Sequence, residues 1–167
     1  MDFIEIKINN AIMKRAKENI KHGALRGSAT KGERNLIGYL GEEIFLRYYK
    51  TAIRCNTYDY DFLLGKLKVD IKTSQITERP KHYFNNDVYA FNLTQACDYY
   101  YFIQILQDMS TGFLIGYLSK KDFFEKARLR KKGQKASMKS TKILVADSYS
   151  VKNMDIFKPK YNLKEIQ

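Results

Sequence analysis

Cysteine is scarce in this chain of 167 residues, which holds only Cys55 and Cys97. Two are too few for a disulfide framework or a zinc cage, so both are expected as reduced, buried or half-buried thiols in a reducing compartment. Histidine is as rare: His22 and His82 stand far apart without ligand-like neighbours, which argues against a histidine-based metal site. Long apolar runs are missing too. No stretch reaches 18 apolar residues, so no membrane span is expected. Residues 1–10 are charged and alternating, without the basic and apolar regions of a secretory signal. These absences together lead to the expectation of a cytoplasmic protein, in the host cytoplasm if a phage encodes it.

Positive charge is what the chain has in excess. Thirty Lys and Arg face 18 Asp and Glu, a net charge of +12, and such a surplus attracts polyanions over a long range. Nucleic acid is the expected partner; a soluble protein that is merely lysine-rich is the plainer alternative. The length suits one domain, and 44% hydrophobic residues supply a real core.

Apolar residues recur at helical spacing over residues 8–21 (Ile8, Ala11, Ile12, Ala16, Ile20) and more strongly over 33–50 (Leu36, Ile37, Leu40, Ile44, Phe45, Tyr48). Residues 21–30, with Gly23 and Gly27, read as a loop between them. Gly38 and Gly41 interrupt the second helix, and glycine there costs about 1 kcal/mol relative to alanine, so close packing against the helix backbone is expected. Further on, strands are expected over 88–93, 99–106, 112–118 and 143–146. Ser119 is a good N-cap for a short helix over 120–127. The domain then divides into an N-terminal helix and basic loop (1–32), a core (33–147) and a polar tail (148–167).

The clearest local structure is a hairpin over residues 58–73. Polarity alternates on either side of Gly65-Lys66, and glycine first in a two-residue loop suits a type II′ turn. That turn sets Leu64 opposite Leu67, Phe62 opposite Val69 and Tyr60 opposite Ile71. The other face then pairs Asp61 with Asp70 and Asp59 with Lys72. Two carboxylates directly across a sheet repel each other, and a bound cation reverses that sign. Asp61 and Asp70, with the Ile71 carbonyl as a third ligand, suit Mg²⁺, with Mn²⁺ able to substitute. Lys72 emerges on the face of Asp70, where an ammonium can orient water or stabilise transition-state oxygens. Phosphodiester hydrolysis needs this set: a hard cation, a nucleophilic water and positive charge by the oxyanion. An ordinary solvated hairpin face, with a weak Asp59–Lys72 bridge, is the alternative.

Asp61, eight residues, then Asp70-Ile71-Lys72 resembles the motif of the PD-(D/E)XK nuclease superfamily. Gly38-Tyr39-Leu40-Gly41-Glu42 resembles the helix that supplies an acid in many members, and "YDYDFLLGKLKVDIKTS" resembles their metal-binding hairpin. "DYYYFIQI" and "GFLIGYLSKKDFFEKA" are similar to the later strands and helix of small phage-type members. The resemblance covers about residues 33–127. It implies an α/β restriction-endonuclease-like core, a mixed central β-sheet flanked by helices, and a Mg²⁺-dependent nuclease acting on DNA. An endonuclease or junction resolvase, working as a homodimer where it cuts both strands, is the expectation. The resemblance assigns Glu42 as an outer or second-metal ligand, with Glu43 as its rival. Tyr60 replaces the family's proline and leaves Asp59 as a rival to Asp61, although only Asp61 opposes Asp70. A polar residue after the lysine strand assists in some related nucleases, which makes Gln75 a further candidate. An inactive nucleic-acid-binding module with the same fold, or an RNA-directed nuclease, are the competing readings.

Residues 120–142 hold ten basic and two acidic side chains. Lys126, Arg128, Arg130, Lys131, Lys132, Lys135 and Lys139 are the candidate phosphate contacts, able to track a backbone without reading sequence. Lys14, Arg15, Lys21, Arg26, Lys31 and Arg34 form a second basic region. Most of the 13 tyrosines are expected in sheet packing, with Tyr83 and Tyr58 as candidates for stacking on bases.

Overall fold

The computed structural model describes residues 3–22, 33–55, 57–135 and 143–158. Its centre is a six-stranded sheet in the order β1-β7-β6-β4-β3-β2, formed by β1 (Ile4–Lys7), β2 (Ile53–Arg54), β3 (Phe62–Leu64), β4 (Leu67–Ile76), β6 (Tyr99–Leu106) and β7 (Thr111–Ser119). Only the β4–β6 pair is parallel; the other neighbours are antiparallel. The architecture is therefore α/β with a mixed central sheet. A second, antiparallel sheet has the order β5-β9-β8, from β5 (Asn85–Tyr89), β8 (Arg128–Arg130) and β9 (Ser148–Lys152).

Strand alternation sorts the core into two layers. Tyr101, Ile103 and Ile105 of β6 join Val69 and Ile71 of β4 in one layer. It is closed by α1 (Asn10–His22) and α2 (Glu33–Tyr48), through Ile12, Ala16, Ile37, Leu40, Ile44 and Phe45. Tyr100 and Phe102 point the other way, into a layer closed by Val88 of β5, Val151 of β9 and Phe123 of α3 (Lys120–Lys126). Between the sheets, Gln104 and Asn153 exchange side-chain hydrogen bonds, and both amides of the fully buried Gln104 and Asn153 also meet Asn86. These partners answer the desolvation cost of three buried amides.

The helices start where local chemistry says they should. Asn9 Oδ1 accepts the Ile12 N–H at 3.0 Å, and Ser119 Oγ accepts the Asp122 N–H at 3.0 Å. Each such cap contributes about 1 kcal/mol. At the hairpin turn Gly65 has φ 61° while Lys66 does not enter the left-handed region, as a type II′ turn requires.

Several expectations change. The strand expected over 143–146 is absent; Ile143 makes only an isolated bridge to Lys135. The tail expected from 148 onward instead contributes β9, the middle strand of the second sheet. The strand expected over 88–93 is moved to Asn85–Tyr89 and followed by a 3₁₀ turn, Ala90–Asn92. The loop expected over 21–30 lies, beyond residue 22, outside the described residues. Among the described residues no helix is long and apolar enough to cross a membrane.

Candidate active site

The register expected for the hairpin is the one observed: Leu64 pairs with Leu67 and Phe62 with Val69. Strand β3 ends at Phe62, but the ladder runs one residue further, because the Asp61 N–H donates to Val69 O at 3.1 Å. Beyond that point the chain turns away. Thr57 Oγ1 donates to Tyr60 O at 2.8 Å, and Cys55 N–H donates to Asp61 O at 2.8 Å. Tyr60 therefore does not face Ile71, and Asp59 does not meet Lys72; Asp59 Oδ1 instead accepts the Ala96 N–H at 3.0 Å. Of the two aspartates, Asp61 is the one that reaches the Asp70–Ile71 backbone.

Where β3 stops, the Asp61 carboxylate replaces it. Its Oδ2 accepts the Ile71 N–H at 2.7 Å, in the place a strand carbonyl would take. The N–H and C=O of one strand residue point to the same edge, so the Ile71 carbonyl also faces this vacated edge beside Asp61. Asp70 is buried, at 4% exposure, and its Oδ2 lies 2.6 Å from Lys72 Nζ. That contact is a close ion pair, shielded from water on both sides. Asp61 and Asp70 are close enough for one to donate a hydrogen bond to the other when protonated.

Electrostatics sharpen the picture. Burial, then the Asp70 charge, then Glu42 hold the Asp61 carboxyl well above the usual range. Burial raises Asp70 as well, against the pull of Lys72. Burial also lowers the Lys72 amine, but Asp70 and Asp61 outweigh it and keep the ammonium protonated. Like charges sharing one site resist ionisation, and a divalent cation between them would reverse that.

Glu42 and Glu43 are both buried, and Arg54 bridges them, its guanidinium meeting Glu42 Oε2 and, at 2.7 Å, Glu43 Oε1. Glu43 is further tied to α1 by Arg15 Nε and Asn19 Nδ2, each at 2.9 Å. Glu42 is the acid whose charge reaches Asp61 and Asp70. Burial pushes it up to about 7 despite Arg54. Glu42 thus stands behind the aspartate pair, held by Arg54, a residue the sequence patterns did not single out.

The structure does not bring Gln75 to this place. It lies five residues along β4 from Asp70, about 16 Å at 3.3 Å per residue, and on the α2 face with Ile71 and Thr73. A different glutamine is there instead. Gln95, at 6% exposure, accepts from Lys72 Nζ at 3.2 Å and donates to Tyr58 O at 2.7 Å and Asp70 Oδ1 at 3.4 Å. Lys120 Nζ grips the backbone from outside, on Leu93 O at 2.8 Å and on Gln95 O. No local pattern marks Gln95. Only the parallel pairing of β4 with β6, which sets Asp70 beside Tyr100, brings the residues ahead of β6 over the hairpin. Cys97, buried nearby, has its thiol pushed up to about 12 by burial, so it is no nucleophile.

The donors fit a hard divalent cation: two carboxylates and a backbone carbonyl, with no sulfur or imidazole in the set. Among the described residues no three Asp, Glu, His or Cys side chains form a ready ligand shell, consistent with Glu42 being committed to Arg54.

The basic segment divides in two. Arg130 binds Asp87 Oδ1 at 3.3 Å and Lys135 O at 2.6 Å, and Lys131 binds Asp147 Oδ2 at 2.9 Å; these serve the second sheet. Lys126, Arg128, Lys132 and Lys135 are exposed, while Lys139 lies outside the described residues. In the second basic region Arg15 is occupied by Glu43; Arg26 and Lys31 lie outside the described residues. No protein-family model matches this chain, and no curated protein matches it.

Proposed function

We propose that this chain is a metal-dependent nuclease with a restriction-endonuclease-like core, hydrolysing phosphodiester bonds in DNA. One observation carries the reading: two carboxylates, the half-buried Asp61 and the buried Asp70, converge beside the Ile71 backbone, with the Lys72 ammonium 2.6 Å from Asp70. Support for the core comes from the succession of α2, hairpin β3–β4, parallel β6, antiparallel β7 and α3.

Asp61, Asp70 and the Ile71 carbonyl would hold Mg²⁺ or Mn²⁺, with Glu42 adding negative charge behind them. When bound, the cation supplies acidity for the attacking water and positive charge at the phosphate. Lys72 supplies a fixed ammonium for the developing charge on the phosphate oxygens, and Gln95 keeps it in position. Burial raises the Asp61 carboxyl in the metal-free site, and a bound cation would favour its charged form. Exposed Lys126, Arg128, Lys132 and Lys135 would meet phosphates away from the cut.

The test is digestion of linear, circular, single-stranded, flapped and four-way DNA, with RNA alongside, in Mg²⁺, Mn²⁺ or a chelator. Cleavage of DNA that is lost in chelator and in both Asp70→Ala and Lys72→Ala is the expected result. Full activity in both variants would remove this site from the reaction. Salt-sensitive DNA binding without metal-dependent cleavage would make the chain a binding module.

A further inference from the structure

Large apolar side chains gather at the rim of the aspartate cluster. Tyr58 is 48% exposed, Phe91 44% and Leu93 37%. They form one patch: the Tyr58 hydroxyl donates to Phe91 O at 3.3 Å and lies 3.4 Å from Thr94 Oγ1. Tyr89 stacks on Phe91 with centroids 5.3 Å apart and planes within 15°. The rings are thus held by a loop, a hydroxyl anchor and a second ring, and they still face water. Contiguous exposed apolar surface of this kind marks a binding site more often than isolated exposed residues do.

The patch is rooted in the proposed chemistry. The Tyr58 carbonyl takes a hydrogen bond from Gln95 Nε2, and the same amide reaches Asp70 Oδ1. One side chain therefore links the Tyr58 backbone to the Asp70 carboxylate. Ammonium groups lie close to the same segments: Lys120 Nζ is on the carbonyls of Leu93 and Gln95, and Lys68 Nζ is 5.6 Å from the Tyr60 ring, two residues from Tyr58. Flat apolar rings with ammonium groups on the adjoining segments match a nucleobase with its phosphates. A paired base has both faces covered by its neighbours in the stack, whereas an unpaired one offers a face to a ring.

We infer that Tyr58 and Phe91 form a stacking platform for an unpaired nucleobase at the mouth of the site, so that the substrate presents single-stranded nucleotides there. The inference rests on the nuclease reading for its placement next to the cut, and it deepens that reading by naming the substrate class.

Binding of the full chain to a fluorescent single strand, and to a blunt duplex of the same sequence, is measured in chelator so that nothing is cut. The single strand carries 2-aminopurine, whose emission falls on stacking. Phe91→Ala and Tyr58→Leu each weaken single-strand binding by about tenfold, the scale of one lost base stack, and abolish the quenching. Duplex binding stays within about twofold, and Phe91→Trp keeps both signals. Equal losses on both nucleic acids, unchanged single-strand binding in variants with an unchanged melting temperature, or binding of neither nucleic acid overturns the platform. The two readings fail separately. Selective single-strand loss in a chain that never cleaves keeps the platform and removes the nuclease; cleavage that depends on Asp70 without a Phe91 effect does the reverse.

Discussion

The two faces of strand β4 are built for opposite purposes. On one, Val69 and Ile71 are buried against α2, and Thr73 lies so close to Gly41 that a methyl group on that glycine would fall inside the Thr73 hydroxyl. On the other, Asp70 and Lys72 pair with each other under Gln95 and beside the Tyr100 ring, 5.6 Å from Lys72 Nζ. The first face gains stability from apolar area removed from water. The second costs stability, since it takes charged groups out of water. A strand that is anchored on one side can hold unfavourable chemistry rigidly on the other, and the two functions should separate by mutation.

The largest separation is expected in activity. Asp70→Ala and Lys72→Ala should lower cleavage by at least about a hundredfold in proteins whose circular dichroism is unchanged; loss of fold in both would mean the charged face is structural. Gly41→Ala breaks the opposite face. It should cost about 1–3 kcal/mol through overpacking against Thr73, read as a lower melting temperature, while cleavage per folded molecule at low temperature persists. A large loss of specific activity instead would show that the two faces are not independent.

Next in size is the pH dependence of the metal-free protein. Glu42 titrates near 7 when folded against 4.5 for its ordinary value, because burial outweighs Arg54, and Asp61 is raised as well. Between those values the folded state binds more protons than the unfolded, so stability falls as pH rises. The melting temperature should drop from pH 5 to pH 8, and Mg²⁺ or Mn²⁺ should restore part of it at the upper end. A melting temperature that climbs over this interval would contradict the assignment. The smallest effects are expected on β8 and its neighbours. Arg128→Gln and Lys132→Gln should each reduce the salt slope of DNA binding by about one, whereas Arg130→Gln, which frees Asp87, should lower stability more than affinity.

Local signals carried much of this. The Gly65-Lys66 turn and its alternation set the hairpin register, and with it the meeting of Asp61 and Asp70 beside Lys72. The apolar run of β6 and the Ser119 cap of α3 were equally readable, and the close packing expected at both helix glycines is found at Gly41 but not at Gly38, which has open space around it. Strands β1, β2, β8 and β9 escaped because each is at most five residues long and gains its hydrogen bonds only from a partner distant in sequence. Arg54 and Gln95 escaped for the same reason: each reaches the acids by long-range packing. Gln75 was misplaced by ignoring parity, since an odd-numbered residue of β4 shares the face of Ile71 and Thr73.

A manganese-soaked crystal tests the central claim most directly. An anomalous peak bonded to the Asp61 and Asp70 carboxylates and to Ile71 O, lost in Asp70→Asn, is the predicted result. Full manganese occupancy elsewhere, with no density between those two carboxylates, would contradict it.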